Sequence, residues 1–244
     1  MRKTLLFDLD GTLLNTLEDL RDSTNFALRT YGYPERSLEE VRRFVGNGLK
    51  MLLTRAVPQG SSEVEIERAL ACMKAHYCEN YHNKTVPYPG IPELLQRLQQ
   101  AGFRMAISNK ADPAVQLIRT LYFDGIIDVA VGESPACSKK PAPDMVLAAL
   151  QRLGSTADDA IYLGDSEVDL QTARNSGLPC ATVGWGFRTE AELRAAGAQT
   201  IYHSPEALGK ALLPGHVVLQ IRGLRRNHPR NDLKETALPL QFLT

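Results

Sequence analysis

Four short polar clusters in this chain each stand where an apolar run ends. The first is Asp8-Leu9-Asp10-Gly11-Thr12, directly after Thr4–Phe7. Along an extended backbone, residues two apart point to the same side, so Asp8 and Asp10 can address one small volume. Two like charges there repel, and one takes up a proton unless a cation holds both. Mg2+, a hard ion that takes a few oxygen ligands plus a substrate phosphate, meets that need. Asp and Gly are also common turn residues, so the pair alone reads equally well as a turn.

The second cluster, Ser108-Asn109-Lys110, closes the run Arg104–Ser108 and precedes a helical pattern starting near Pro113. A hydroxyl and amide N–H groups at a helix start make an anion site, though Ser and Asn are ordinary N-caps too. The third, Lys139-Lys140-Pro141-Ala142-Pro143-Asp144, holds a lysine before a proline-fixed turn. That is a positioned point charge able to neutralise a phosphate or a carboxylate, or simply a surface loop. The fourth, "YLGDSEVDL", sets Asp165, Glu167 and Asp169 after Ala160–Leu163. Asp165 and Asp169 suit oxygen coordination, and acids in a first helical turn also complement the helix dipole. Taken together the clusters are complementary: acids, a hydroxyl, a lysine, acids. They describe a site for a phosphate, a Mg2+ ion and a carboxylate nucleophile.

Holding such clusters together requires strands that end side by side. Thr4–Phe7, Arg104–Ser108, Ile126–Val131, Ala160–Leu163 and Cys180–Val183 read as buried strands. Helical patterns between them, such as Pro92–Gln100 and Pro143–Leu153, imply an α/β fold with a doubly wound, Rossmann-like parallel sheet. Such sheets bind ligands at the carboxyl ends of their strands. One segment interrupts the alternation. Between Leu17 and about His82 there are only helical patterns, Leu17–Tyr31, Leu38–Phe44, Leu49–Ala56 and Val64–Tyr81, broken at "YGYPERS", "GNG" and "PQGSS". The expected organisation is a catalytic core of residues 1–14 and 83–213, an inserted helical cap of residues 15–82, and an atypical tail of residues 214–244. Pro87, Pro89 and Gly90 supply the connection back from the cap.

With 28 basic and 28 acidic residues among 244, the chain has no net field to steer it toward nucleic acid or an anionic membrane. Arg222, Arg225, Arg226 and Arg230 of the tail have no aromatic residues interleaved, so they read as a solvated tail rather than a nucleic-acid surface. No apolar stretch has the length to span a bilayer. The basic start "MRKTLLF" is cut short by Asp8 before a signal-peptide core forms, and the expected location is cytoplasmic. Four cysteines do not make a disulfide framework. Cys72, His76, Cys78 and His82 share one helix but point two each to nearly opposite sides, which disfavours a single tetrahedral metal site. The expected partner is a small-molecule phosphate ester, with the protein a monomer or homodimer.

The order "DLDGT", "SNK", "KKPAPD", "GDSEVD" resembles the four motifs of the haloacid dehalogenase-like hydrolases over roughly residues 1–213, and the helical insert is similar to that superfamily's type-1 cap. Within it, "FVGNGLKMLLTRAV", "TVPYPGIPELL", "SNK" and "GWGFRTEAEL" resemble bacterial phosphoglycolate phosphatases. The resemblance implies Asp8 as nucleophile and Asp10 as acid and base. It implies Thr12, Ser108, Asn109 and Lys140 around the phosphoryl group, and Mg2+ bound through Asp8, Asp10 and Asp165, with Asp169 acting directly or through water. In capped relatives the loop between the cap helices faces the site. Gly46, Asn47 and Gly48, with Arg43 or Lys50 nearby, are therefore candidates for receiving a small carboxylate such as that of 2-phosphoglycolate; a plain helix–helix turn is the alternative. A phosphosugar mutase of the β-phosphoglucomutase type, or a pyrophosphatase or nucleotidase, shares the motifs. A non-enzymatic binding protein would not need both Asp8 and Asp10.

Overall fold

A computed structural model describes residues 3–135 and 137–213, with residues 110–114 described by their backbone alone. The tail of residues 214–244, including Arg222, Arg225, Arg226 and Arg230, lies outside the described residues. The strands are β1 (Thr4–Phe7), β2 (Leu14–Asn15), β3 (Val86–Pro87), β4 (Arg104–Ala111), β5 (Val129–Glu133), β6 (Ala160–Gly164), β7 (Cys180–Val183) and β8 (Ile201–Tyr202). Six of them form one parallel sheet in the order β5-β4-β1-β6-β7-β8. The helices are α1 (Leu17–Thr30), α2 (Leu38–Phe44), α3 (Leu49–Ala56), α4 (Glu63–Asn80), α5 (Ile91–Gln100), α6 (Asp112–Phe123), α7 (Asp144–Leu153), α8 (Glu167–Asn175), α9 (Glu190–Ala195) and α10 (Pro205–Leu212).

The sheet is doubly wound because alternate side chains of each strand need cover on opposite faces. Leu5 and Phe7 of β1 join Met105, Ile107 and Leu163 in a core closed by α5, α6 and α10. Leu6, Ala106 and Tyr162 face the other way, onto α7 and α8. Central strands buried on both faces read as unbroken apolar runs, which is why they are visible in the sequence. Three elements are not: β2, β3 and β8 have two residues each, too few to carry a period. β5 begins at Val129 rather than Ile126, because the N–H groups of Ile126 and Ile127 both turn back to the carbonyl of Phe123.

Helices α1–α4 pack around a hydrophobic core of their own, built on Leu20, Leu28, Leu52, Leu53, Leu70 and Met73. Ser37 and Ser62 start α2 and α4 with reciprocal side-chain caps to Glu40 and Glu65. Both chain crossings between the sheet and this bundle lie side by side, where β2 and β3 pair antiparallel. Asp19, buried in the first turn of α1, fastens them. Its carboxylate accepts from the N–H of Lys84 at 3.0 Å and from the N–H and hydroxyl of Thr85, each at 2.8 Å. The four Cys and His residues of α4 and its end form no metal group among the described residues. His76 bonds Ser23 at 3.0 Å and stacks on Phe26, and Cys78 is buried. No helix among the described residues is long and apolar enough to cross a membrane.

The Asp19→Ala substitution strands buried donors at this crossing, each costing about 1–3 kcal/mol. We expect a loss of about 3 kcal/mol, read as a fall of roughly 6–12 °C in Tm for a chain of this size. A Tm within a degree of the parent protein would show that the crossing is held elsewhere.

Candidate active site

Parallel strands that end together bring the four polar clusters to one edge of the sheet. Asp8 follows β1, Ser108 and Asn109 lie in β4, and Asp165 follows β6. Lys140 comes from the loop between β5 and α7 and reaches the same point. Its ammonium contacts Asp8 Oδ1 and lies 2.9 Å from Asp169 Oδ1. Asn109 Nδ2 donates to the same Asp8 Oδ1 at 2.7 Å, and more distantly to Asp10 Oδ2 at 3.5 Å. Thr12 Oγ1 donates to Asp165 Oδ1 at 3.1 Å and lies 3.4 Å from Asp8 Oδ2. Ser108 is fully buried, its hydroxyl 3.3 Å from that of Tyr162.

Asp8, Asp165 and Asp169 are all buried, and one oxygen of each lies within 4.8 Å of the others. Burial, then repulsion from Asp169, Asp165 and Asp10, raises the Asp8 carboxyl well above the usual range, with Lys140 opposing. Asp165 is pushed up to about 7, first by burial and next by Asp169, against bonds from Phe187 N–H and Thr12. Burial works against the charge on Lys140, but Asp169 and Asp8 outweigh it and keep the ammonium protonated. Three acidic oxygens this close, opposed by a single ammonium, form a hard-oxygen set suited to a divalent cation.

Three glycines let the carboxylates sit where they do. A Cβ on Gly11 would lie 2.4 Å, and one on Gly186 2.3 Å, from Asp165 Oδ2. A Cβ on Gly164 would lie 2.3 Å from Asp169 Cβ. The helix-start reading of "GDSEVD" describes one oxygen of Asp169, and the other faces into the acidic group. Asp169 Oδ2 takes 2.6 Å and 3.2 Å bonds from the hydroxyl and N–H of Ser166, capping α8, while Oδ1 faces Lys140.

The site opens into a cavity of about 440 Å³ closed on the far side by α1, α3 and α4. Of the residues singled out between the cap helices, Gly46, Asn47, Gly48 and Lys50 line it and Arg43 does not. Asn47 Oδ1 is taken by Arg55 at 2.9 Å, and Lys50 by Glu63 and Glu67 at 2.6 Å each. The loop after β7 supplies residues that the reading of the four clusters passes over. Phe187 donates its N–H to Asp165 at 2.8 Å while its ring packs into the core of the helical bundle. Arg188 pairs with Glu167 at 2.8 Å and donates to the carbonyl of Val45 at 2.6 Å. "GWGFR" also stands at a strand end, so applying the same positional rule to a fifth strand finds it. Lys74 and Tyr77 of α4 line the cavity without any motif to mark them.

A family model for haloacid dehalogenase-like hydrolases matches residues 5–183. Among curated relatives, a phosphoglycolate phosphatase from Aquifex aeolicus is 32% identical over 187 residues, covering 76% of this chain and 86% of its own. One from Mesorhizobium japonicum is 34% identical over 191 residues, covering 76% and 84%. A solved structure from Lactobacillus delbrueckii subsp. bulgaricus, provisionally assigned as a phosphoglycolate phosphatase, superposes with a TM-score of 0.83 at 34% identity and covers 88% of this chain and all of its own. CbbY from Rhodobacter sphaeroides, solved in complex with phosphate, gives a TM-score of 0.64 at 29% identity, covering 86% and 97%.

The raised carboxyls set a pH dependence. Asp165 titrates near 3.8 unfolded and at about 7 folded, so the folded state binds more protons between those values. Its favourable contribution is complete below about 4 and is lost as pH rises through about 7. The Tm of the cation-free protein should therefore fall between pH 5.5 and pH 8, and the rise on adding a saturating divalent cation should be larger at pH 8. Scanning calorimetry that finds a cation shift independent of pH would refute this account.

Proposed function

The chain belongs to the haloacid dehalogenase-like hydrolase family and is a phosphatase, and from that premise we propose that it hydrolyses small phosphate monoesters through a phosphoryl-enzyme on Asp8, with Mg2+ as cofactor and 2-phosphoglycolate as the preferred substrate. The observation that carries the mechanism is the unequal treatment of the two Asp8 oxygens. Lys140 and Asn109 both hold Oδ1, while among the described residues Oδ2 has only the 3.4 Å approach of Thr12. Oδ2 is then the attacking atom, on a carboxylate whose rotation is blocked.

In this reading Asp8 Oδ2 bonds to phosphorus as the ester P–O bond breaks, and Asp10 gives its proton to the departing alkoxide. Asp10 next takes a proton from water, whose oxygen attacks phosphorus and releases Asp8 and inorganic phosphate. Lys140 stays protonated throughout and offsets charge on Asp8 and the transferring group. Ser108 and the Asn109 main chain receive phosphoryl oxygens, and Thr12 keeps Asp165 oriented. Mg2+ would be held by Asp8, Asp165 and the Asp10 main chain, with Asp169 directly or through water. The fit rests on the clustered, buried carboxyl oxygens described above. When bound, the ion neutralises carboxylate and phosphoryl charge. Phosphoryl transfer asks mainly for such positioning and neutralisation. The substrate preference draws on the relatives' names and on a cavity that is more than large enough for a two-carbon ester.

Uncatalysed monoester hydrolysis is so slow that enzymes accelerate it by up to about 10²¹-fold, so loss of the nucleophile is close to complete loss of turnover. Asp8→Asn should abolish phosphate release from 2-phosphoglycolate in Mg2+ while keeping a cation-free Tm at or above the parent value, since one buried repulsive carboxylate is gone. A folded Asp8→Asn protein with parental turnover would overturn the mechanism. Strong turnover of other monoesters with none of 2-phosphoglycolate would overturn the substrate alone.

A further inference from the structure

Among the described residues, five cationic side chains line the cavity walls, and four are accounted for by position or pairing. Lys140 is engaged by Asp8 and Asp169 on the floor. Arg188 is engaged by Glu167 and the Val45 carbonyl. Lys50 sits between Glu63 and Glu67. Lys139 is exposed on the core loop beside Lys140, on the phosphate side of the cavity. The fifth is Lys74, half-buried on α4, one turn before Tyr77 on the same wall. Among the described residues no carboxylate pairs with it.

The geometry points to Lys74 as the residue that receives a second anionic group of the substrate, a carboxylate carried on the alcohol side of the phosphate ester. This rests on the phosphatase reading of the floor. The electrostatics of the cavity dictate the direction. Asp8, Asp10, Asp165 and Asp169 lie at one end against Lys140, and a phosphoryl group bound there brings further negative charge. A second anion on the same molecule is repelled from that end and is driven toward the opposite wall. On that wall Lys50 is already held by its two glutamates, which among the described residues leaves the Lys74 ammonium as the charge without a carboxylate partner. A lysine on a flexible four-carbon stem can span a gap that a fixed backbone donor cannot. The loop of Gly46, Asn47 and Gly48 then shapes the wall rather than supplying its charge.

The test compares 2-phosphoglycolate with ethyl phosphate, in which a methyl group replaces the carboxylate, using phosphate release in Mg2+. The parent protein should favour 2-phosphoglycolate in kcat/KM. In Lys74→Gln that ratio should fall by about 10- to 100-fold, the scale of a lost charge-assisted hydrogen bond, mostly through KM for 2-phosphoglycolate. Lys74→Arg should restore part of it, which a merely structural role would not predict, and the Tm of all three proteins should agree. Three results would overturn the assignment and leave the phosphatase reading standing: ethyl phosphate hydrolysed as well as 2-phosphoglycolate by the parent, a ratio unchanged in Lys74→Gln, or the loss appearing in Lys139→Gln instead. Phosphate release from neither ester, nor from any other monoester, would remove the reading itself and this inference with it.

Discussion

Mutual repulsion among buried carboxylates is the constraint around which this protein is organised. Unit charges about 4–5 Å apart interact by roughly 3–4 kcal/mol at an effective dielectric near 20. One oxygen of each of Asp8, Asp165 and Asp169 lies within 4.8 Å of the others, and the Lys140 ammonium is shared by Asp8 and Asp169. Such a group does not form by chance collapse, because each acid would rather face water. It exists because the acids are attached to strand ends whose positions are fixed by cores on both faces of the sheet. The apolar packing beneath the site is what opposes the repulsion within it.

Fixing the strands is not enough, since a carboxylate on a short stem can still turn away. Each acid is therefore held by a group belonging to another part of the chain. Asp165 is held by Thr12 and by the Phe187 N–H, Asp169 by Ser166 and Lys140, and Asp8 by Asn109 and Lys140. Phe187 goes further, because its ring belongs to the core of the helical bundle while its backbone serves the site. Packing in the bundle and the orientation of Asp165 are in this way parts of one network.

Much of this was legible in the sequence, and the reasons for success and failure are physical. The central strands announce themselves because two-sided burial demands unbroken apolar runs, and α1–α4 because one-sided burial demands a helical period. Asp8, Asp165, Lys140 and Asn109 could be placed together because strand ends in a parallel sheet must converge. Partner choice was beyond reach. Nothing in "GNGLK" shows that Lys50 would be consumed by Glu63 and Glu67 from α4, or that Asn47 would face Arg55. Those pairings depend on how α3 meets α4, which is a matter of packing. Lys74 was invisible for the same reason, being one lysine on a helix until the cavity wall gives it a direction.

The glycines under the acids have a consequence for anyone who would transplant this centre. Gly11 and Gly186 flank Asp165, and Gly164 makes room for Asp169. A graft that copied the aspartates and the lysine onto another sheet, but kept ordinary residues at those three places, would find its carboxylates pushed aside by the methyl group of any alanine. The functional unit to be moved is thus the acids together with the empty spaces beside them.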